Sequence, residues 1–193
     1  MTVAETDRIE MADGDMSNLD DLFEQVSVPE GYKAEIVGGT FFMTPQRAAH
    51  WEIIRRIVRA LEDQFGMNVK VLSDVRIDFP GDQNIFCPDV ALLRHTATQD
   101  GNGRWHVEDI EFITEVISRG TAANDYGPKK VAYAEAGVPV YLIADPYQGR
   151  CHLYSEPKDG DYTVETTVTF GRDIDLGGPL EGLTLATADF PRD

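Results

Sequence analysis

Apolar residues recur along the chain at two spacings, and the change between them separates predicted helices from predicted strands. The segment 50–65 has helical spacing, which predicts a long helix that ends at Gly66. Two further segments predict helices, a short one over 19–26 and another over 125–136. The apolar stripe of the long helix consists of Ile53, Ile54, Ile57, Val58, Leu61 and Phe65.

Strand-forming segments surround these helices. Gly38-Gly39 separates two short apolar runs, which predicts a β-hairpin with a tight two-residue turn. Segments 110–116 and 138–144 are typical of buried strands, and the helix between them implies a right-handed crossover with parallel pairing. Further strands are predicted over 69–79, 89–93, 151–155, 162–170 and 174–176. The order predicts an α/β fold with a central mixed β-sheet flanked by helices, an N-terminal hairpin and C-terminal antiparallel strands.

The length of 193 residues suits a single domain, predicted over 19–193 after an acidic, flexible N-terminus over 1–18. Cys87 and Cys151 lie far apart, which indicates neither a disulfide framework nor a zinc site. The N-terminal residues lack the apolar core of a signal peptide, and no apolar run is long enough to span a bilayer. We therefore expect a cytoplasmic protein without a membrane partner.

The formal net charge of −17 argues against nucleic-acid binding, because such proteins usually present a basic surface to the phosphates. The acidity is concentrated at the ends of the chain. Residues 1–30 have a net charge of −8 and residues 145–193 a net charge of −6, whereas residues 31–144 have only −3. The segment that contains the candidate chemistry is thus nearly balanced, and the objection is weaker than the total charge suggests.

Two carboxylates lie near the ends of predicted neighbouring strands, Asp89 and Glu115. Hard oxygen ligands of this kind bind Mg²⁺, which assists phosphodiester hydrolysis. Lys129 follows on the predicted crossover helix, which should pack over the same edge of the sheet, and a lysine there would stabilise charge on a phosphoryl group. Two acids and a lysine therefore predict metal-assisted phosphodiester cleavage.

A wider pattern surrounds these three residues. It consists of Tyr32 to Glu35, Gly38-Gly39, His50, Pro88-Asp89-Val90, Glu115 to Ser118, Asp125, Lys129, Tyr133, Ala136 to Pro139 and Tyr141 to Pro146. On these residues the chain resembles, over roughly 29–190, the putative restriction endonuclease family, a largely uncharacterised family within the PD-(D/E)XK nuclease superfamily. The resemblance implies a restriction-endonuclease-like core and a Mg²⁺-dependent DNA endonuclease, with Mn²⁺ as a possible substitute ion and DNA as substrate. It also makes a homodimer plausible.

The same resemblance assigns roles to individual residues. It implies that Asp89 and Glu115 bind the metal, with the carbonyl of Val116 as a possible third ligand, and that Glu35 on the hairpin contributes a further acid. One departure stands out, since Ile117 occupies the position where the superfamily usually has its lysine. The resemblance suggests that this lysine has moved to Lys129.

Each of these residues also has a plain structural interpretation. Asp89 can be a turn former, Glu115 an ion-pair partner of Arg119 or Lys129, and Glu35 an exposed strand residue. For the remaining polar residues the structural interpretation is the one we adopt: His50 packs at a helix start, Asp125 caps a helix N-terminus, Tyr141 lies in the core and Asp145 ends a strand. Arg55, Arg56 and Arg59 fit either a solvated face or a phosphate-binding face.

Two other function classes compete with the nuclease hypothesis. An inactive nuclease-fold domain that serves as a binding or regulatory module is consistent with the negative charge and with Ile117. Carboxylate-pair chemistry on sugars would require acids that flank a carbohydrate cleft, and neither Trp51 nor Trp105 lies beside these acids in the sequence. Convergence of Asp89, Glu115 and Lys129 at one point is the feature that separates these hypotheses.

Overall fold

The computed structural model describes residues 19–81, 83–180 and 182–193, so the prediction for 1–18 lies outside the described residues. Over the described part the chain forms four α-helices and twelve β-strands. The helices are α1 (Leu19–Gln25), α2 (Ala48–Phe65), α3 (Ala122–Tyr126) and α4 (Pro128–Glu135). The strands are β1 (Tyr32–Val37), β2 (Thr40–Pro45), β3 (Lys70–Leu72), β4 (Ile77–Phe79), β5 (Asn84–Phe86), β6 (Val90–Leu93), β7 (Ile110–Val116), β8 (Val140–Asp145), β9 (Arg150–Lys158), β10 (Asp161–Thr169), β11 (Ile174–Asp175) and β12 (Thr184–Leu185).

A six-stranded mixed sheet forms the centre of the molecule, in the order β10-β9-β8-β7-β6-β3. Strands β7 and β8 pair in parallel, and the other neighbouring strands pair antiparallel. The parallel pair is joined through α3 and α4, as the strand–helix–strand pattern predicts. Both strands are buried almost throughout, because helices or further strands cover each face of the sheet. The predicted α/β fold with a central mixed sheet is confirmed.

Helix α2 packs its apolar stripe on one face of this sheet, beside the C-terminal segment that contains the β11–β12 ribbon. Its buried positions include Ile53, Ile54 and Ile57, which the helical spacing identifies. Helix α4 lies on the opposite face, where Tyr133 and Ala132 pack against the core. No helix among the described residues combines the length and hydrophobicity needed to cross a membrane.

The predicted hairpin is formed by β1 and β2. Gly38 and Gly39 occupy its two-residue turn with φ of 54° and 74°, a conformation that L-residues with side chains rarely adopt. The hairpin belongs to a second, four-stranded sheet in the order β2-β1-β5-β4, which lies on the α4 face of the central sheet. Strand β5 is absent from the sequence-based prediction.

The prediction of one strand over 69–79 is wrong. The segment divides into β3, at the edge of the central sheet, and β4, at the edge of the smaller sheet. Between them Asp74 has a φ of 55°, and its N–H donates to the carbonyl of Pro88 at 3.0 Å. The alternating pattern continues through the bend, and therefore gives no sign that the chain changes sheets there.

The predicted helix over 125–136 is interrupted. Helix α3 ends at Tyr126 and α4 begins at Pro128, with Gly127 between them. A Cβ on Gly127 would lie 2.9 Å from the carbonyl oxygen of Ala123, so a larger residue would have to shift the backbone. Pro128 occupies the first turn of α4, where a missing N–H costs nothing, and Gly137 with a φ of 73° follows the end of the helix.

Candidate active site

Two acids meet where the antiparallel strands β6 and β7 lie side by side. Asp89 immediately precedes β6, and Glu115 is the penultimate residue of β7. The Val116 N–H donates to Asp89 Oδ2 at 2.7 Å, and the Asp89 N–H lies 3.4 Å from Glu115 Oε2. Both side chains are buried, Asp89 to 4% exposure and Glu115 to 1%. The predicted convergence of these carboxylates is thus present in the structure.

Strand β1 of the hairpin adds two charged residues to the same point. Glu35 accepts a hydrogen bond from the Cys87 N–H at 2.9 Å, which fixes its carboxylate beside the strand ends. Lys33 lies two residues earlier, on the same face of β1, and its Nζ lies 2.6 Å from Asp89 Oδ1 and 3.6 Å from Glu115 Oε2. Sequence reasoning missed Lys33, although the period of two from Glu35 is a signal that could have found it.

Lys129 reaches the acids from helix α4. Its Nζ lies 2.7 Å from Glu115 Oε1, 3.1 Å from Glu35 Oε1 and 3.1 Å from Asp125 Oδ1. Its side chain is only 1% exposed, so it is not a solvated helix lysine. Lys130 points elsewhere and pairs with Asp161 at 2.8 Å, as the helical repeat predicts for adjacent residues.

Asp125 is a correction to the sequence-based prediction. It lies inside α3 rather than at the start of the next helix, and Gly127 takes the N-cap position of α4. Its carboxylate is buried and faces Lys129, one turn further along the chain. The residue therefore belongs to the charged cluster and does not cap a helix.

Two tyrosines and a histidine hold the surroundings of the cluster. The Tyr133 hydroxyl donates to Glu115 Oε1 at 2.5 Å, and the Tyr141 hydroxyl donates to the carbonyl of Asp125 at 3.0 Å. His50, near the start of α2, lies 2.8 Å from the carbonyl oxygen of Ile117 through Nε2, which must donate because a carbonyl only accepts. Burial lowers the pKa of His50 from its ordinary value, which favours the neutral ring.

Asp145 lies outside this cluster. Its carboxylate at the end of β8 accepts hydrogen bonds from the Tyr126 hydroxyl and from the backbone N–H groups of Tyr147 and Gln148. This agrees with the prediction of a strand-ending turn acid. The three arginines of α2 pair with acids instead of facing the cluster: Arg55 with Glu52, Arg56 with Glu52 and Asp189, and Arg59 with Asp63.

A family model described as "Uma2: Putative restriction endonuclease" matches residues 20–188, which is most of the chain. The chain belongs to the Uma2 family. Membership of a family with this description supports a nuclease. No curated protein has a significant match to the sequence.

Solved structures show which fold this Uma2 chain shares. A crystal structure from Anabaena variabilis ATCC 29413, described as a putative nuclease belonging to DUF820, aligns with a TM-score of 0.68 at 16% identity. The alignment covers 88% of this chain and 95% of that chain, so the two proteins share one fold over nearly their whole length. A cryoEM structure of a DrdV–DNA complex covers 60% of this chain and 12% of that chain at 13% identity, and its TM-score of 0.30 is too low to indicate a shared fold.

The charges of the Uma2 cluster depend on burial and on the two lysines. Burial opposes ionisation of Asp89, but Lys33 and the Val116 N–H outweigh it and hold the pKa of Asp89 below its ordinary value. Burial dominates at Glu115 and raises its pKa to about 8, against the opposing effect of Lys129 and Lys33. Burial likewise raises the pKa of Asp125 to about 6. Surrounding acids outweigh burial at both lysines and raise their pKa well above the ordinary value.

A narrow cleft connects the cluster to the surface. Its lining includes Thr44, Pro45 and Gln46 from the end of β2, and Ser118 and Thr121 from the loop after β7. The loop that follows a parallel strand is where open α/β sheets usually bind ligands. The cleft encloses only about 10 Å³, which is space for roughly one water molecule beside Asp89 and Glu115.

The donor set of this Uma2 cluster suits a hard divalent cation. Among the described residues no three His, Cys, Asp or Glu side chains form a ready-made metal site, and Lys33 and Lys129 lie between the carboxylates. The four acids and two lysines leave a formal charge of −2 when all are ionised, which one divalent ion would neutralise. These six residues are Glu35, Asp89, Glu115, Asp125, Lys33 and Lys129. Their oxygens are the ligands that Mg²⁺ and Mn²⁺ prefer.

Proposed function

We propose that this chain is a divalent-metal-dependent DNA endonuclease that hydrolyses phosphodiester bonds. One observation carries the proposal: Glu35, Asp89 and Glu115, all expected from the sequence, line a single narrow cleft, and Lys129 lies directly behind them. Lys129 comes from helix α4, whereas the acids come from the middle of β1, the position just before β6 and the end of β7. The Lys129 ammonium nevertheless lies 2.7 Å from Glu115 Oε1. Family membership supports the same reaction class.

In this proposal the acids bind the metal ion and Lys129 stabilises negative charge. Asp89 and Glu115 would hold Mg²⁺ or Mn²⁺, with Glu35 as a further acid beside them. Such an ion supplies Lewis-acid polarisation of the phosphoryl group when it is bound. Lys129 carries a positive charge buried beside Glu115, behind the cleft, and would stabilise negative charge on the phosphoryl oxygens. Tyr133 holds Glu115 in position through its 2.5 Å hydrogen bond.

A basic and aromatic rim at the mouth of the cleft supports DNA as the substrate. Arg119, in the loop after β7, is exposed and lies over the Tyr147 ring at 4.6 Å from the ring centroid. Arg47 lines the same surface depression, which shares Pro45 and Ser118 with the cleft. Guanidinium groups contact phosphates and aromatic rings stack on bases. Asp193 lines the same depression, so the rim combines two arginines with one acid, and a DNA strand would approach the cluster along the arginines.

A second candidate function rests on Lys33. Its ammonium pairs with both Asp89 and Glu115 without a metal ion. Ile117, in the superfamily's usual lysine position, is a buried core residue. These two observations favour an inactive nuclease-fold domain that binds a partner and does not cleave DNA.

Cleavage of supercoiled plasmid DNA separates the two functions. We expect nicking in Mg²⁺ or Mn²⁺ that EDTA abolishes, and a loss of at least about a hundredfold in Glu115→Gln. Glu111→Gln, on the same strand but half-exposed beside Arg94, is the matched control and should keep full activity. A folded wild type that nicks no DNA in either ion contradicts the nuclease proposal and favours the binding module.

The homodimer stays a prediction. Cutting both strands of a duplex in one encounter requires two active sites, which a dimer would supply. Sedimentation of the full chain at micromolar concentration, with and without a short duplex, tests this expectation directly. A monomer in both conditions contradicts the dimer and leaves the single-site cleavage proposal intact.

A further inference from the structure

The Lys33 ammonium lies between Asp89 and Glu115, in the position that a metal ion bound by both acids would take. Its Nζ lies 2.6 Å from Asp89 Oδ1 and 3.6 Å from Glu115 Oε2, and its side chain is 9% exposed. The contacts are those of a counter-cation to both carboxylates. Lys129 approaches Glu115 from the other side, through the other carboxylate oxygen, Oε1.

A divalent ion and the Lys33 ammonium cannot share this position. An ion ligated by Asp89 and Glu115 lies within about 2.0–2.6 Å of their oxygens. Two cations held that close to the same carboxylates repel each other strongly in a buried site. Binding of the ion therefore requires the ammonium to leave the acids.

The structure offers the ammonium a second acceptor. Asp74 Oδ1 lies 3.9 Å from Lys33 Nζ, and the Asp74 side chain is 42% exposed, on the solvent side of the cluster. Gln46, which lines the cleft, donates to the other oxygen of Asp74 at 3.2 Å. A rotation of the flexible lysine side chain towards Asp74 would move the ammonium away from the two acids, to the side of the cleft that Gln46 lines.

We propose that Lys33 is a displaceable internal counter-cation, which holds Asp89 and Glu115 together in the metal-free protein and competes with the divalent ion for them. When the ion binds, Lys33 turns to Asp74 and faces the phosphate of the substrate. The proposal rests on the proposed metal-dependent function. Lys33 acts through the two acids and is in this sense a positioning residue.

Mn²⁺ binding tests the competition without any cleavage assay. Calorimetry and the electron paramagnetic resonance signal of free Mn²⁺ would be compared for wild type, Lys33→Met and the control Lys130→Met. We expect Lys33→Met to bind Mn²⁺ at least about tenfold more tightly, because one competing charge is removed. The control should match wild type, since Lys130 pairs with Asp161 away from the cluster. Equal or weaker binding by folded Lys33→Met would overturn the proposal.

Lys33→Arg covers the case in which Lys33→Met does not fold without metal. Arginine keeps the charge and can pair with a carboxylate through two parallel hydrogen bonds, so it should hold Asp89 more firmly. Mn²⁺ affinity should therefore fall several-fold. An affinity for Lys33→Arg that equals the wild-type value would also overturn the proposal.

The outcomes distinguish this proposal from the nuclease proposal. Tighter Mn²⁺ binding by Lys33→Met, together with a wild type that cleaves no DNA, supports the counter-cation and contradicts the nuclease. Binding by Lys33→Met where wild type binds none up to millimolar Mn²⁺ also supports it. Absence of binding in both folded proteins overturns it, as does a nuclease-active wild type whose Mn²⁺ affinity does not respond to Lys33→Met.

Discussion

The ammonium of Lys129 lies 2.7 Å from Glu115 Oε1, although one residue is on helix α4 and the other is at the end of strand β7. Lys129 thus lies beside the acids, where the resemblance implies a lysine. Ile117, which stands at the usual sequence position of that lysine, packs in the apolar core instead. Glu35 and Asp125 contact the same ammonium at 3.1 Å. Four elements of the fold thus depend on one buried charge.

Lys129→Met should destabilise the metal-free protein by about 3–5 kcal/mol, because it leaves buried carboxylates without their partner. Urea denaturation in EDTA measures the change. Lys130→Met is the matched control on the next residue, and it should cost about 1 kcal/mol or less, since its partner Asp161 is largely exposed. A cost for Lys129→Met no larger than that of the control would contradict the assignment of Lys129 to the cluster.

Adding Glu115→Gln to Lys129→Met should recover part of the lost stability. The neutral amide no longer needs a cation in the buried site, although Glu35 and Asp125 still do. A double-mutant cycle on the free energy of unfolding gives the coupling between the two residues. A coupling energy near zero would show that they act independently, against the observed 2.7 Å contact.

The metal-free protein should lose stability as the pH rises from about 5 to about 8. Burial raises the pKa of Asp125 to about 6 and that of Glu115 to about 8, well above the values of about 4 for unfolded chains. Between these values the folded state binds more protons than the unfolded state, so the free energy of unfolding falls with rising pH. Urea titrations in EDTA at several pH values test this, and Glu115→Gln should flatten the slope.

Asp89 acts in the opposite direction in a different pH range. Its pKa is below the ordinary value, so its contribution is present at neutral pH and is lost as the pH falls through the folded-state pKa. The two ranges are separate, and the decline above pH 5 belongs to the acids with raised pKa. A Glu115→Gln variant with the same slope as wild type would show that other groups dominate.

Arg119→Ala should weaken DNA binding several-fold and lower the salt slope of log Kd by about one unit, as expected for one lost phosphate contact. Fluorescence anisotropy with a short duplex in Ca²⁺ measures both quantities. Arg59→Ala is the matched control, because Arg59 is an exposed arginine that pairs with Asp63 on α2. Equal losses for the two variants would indicate general charge effects instead of a phosphate contact at the cleft mouth.

Deletion of residues 1–18 should leave folding intact and raise nonspecific DNA affinity at low salt. The segment belongs to the strongly acidic N-terminal part of the chain, and like charges repel DNA most when screening is weak. Circular dichroism checks the fold, and anisotropy over a salt series checks the affinity. An affinity that does not change at any salt concentration contradicts masking by the acidic segment.

The sequence predicted the central part of the fold well because local pattern and burial agree there. The strands Ile110–Val116 and Val140–Asp145 are rich in apolar residues and buried almost throughout, since both of their faces are covered. The stripe on α2 and the Gly38-Gly39 turn are equally local signals. The division of 69–79 between two sheets was not predictable in the same way, because the bend at Asp74 involves a hydrogen bond to the carbonyl of Pro88, in the segment between β5 and β6.

The acids of the site were recognisable because a carboxylate among apolar strand residues is costly without a partner. Lys33 and Asp125 were not recognisable as site residues. A lysine on a hairpin strand is commonly a surface residue, and so is an aspartate a few residues before a proline. Their burial in the charged cluster arises only when the hairpin folds onto the central sheet and α3 packs beside α4.

The sequence by itself determined the long helix α2, the parallel strands β7 and β8 and the hairpin, and it pointed to Glu35, Asp89, Glu115 and Lys129 as site residues, since each follows from periodicity, from turn chemistry or from the family resemblance. Only the tertiary structure decided that these four meet in one charged cluster with Lys33 and Asp125. The physical reason is that charge pairing in a low-dielectric interior depends on distances of a few ångströms between elements far apart in the chain. Such distances are set by the packing of the hairpin, the central sheet and α4.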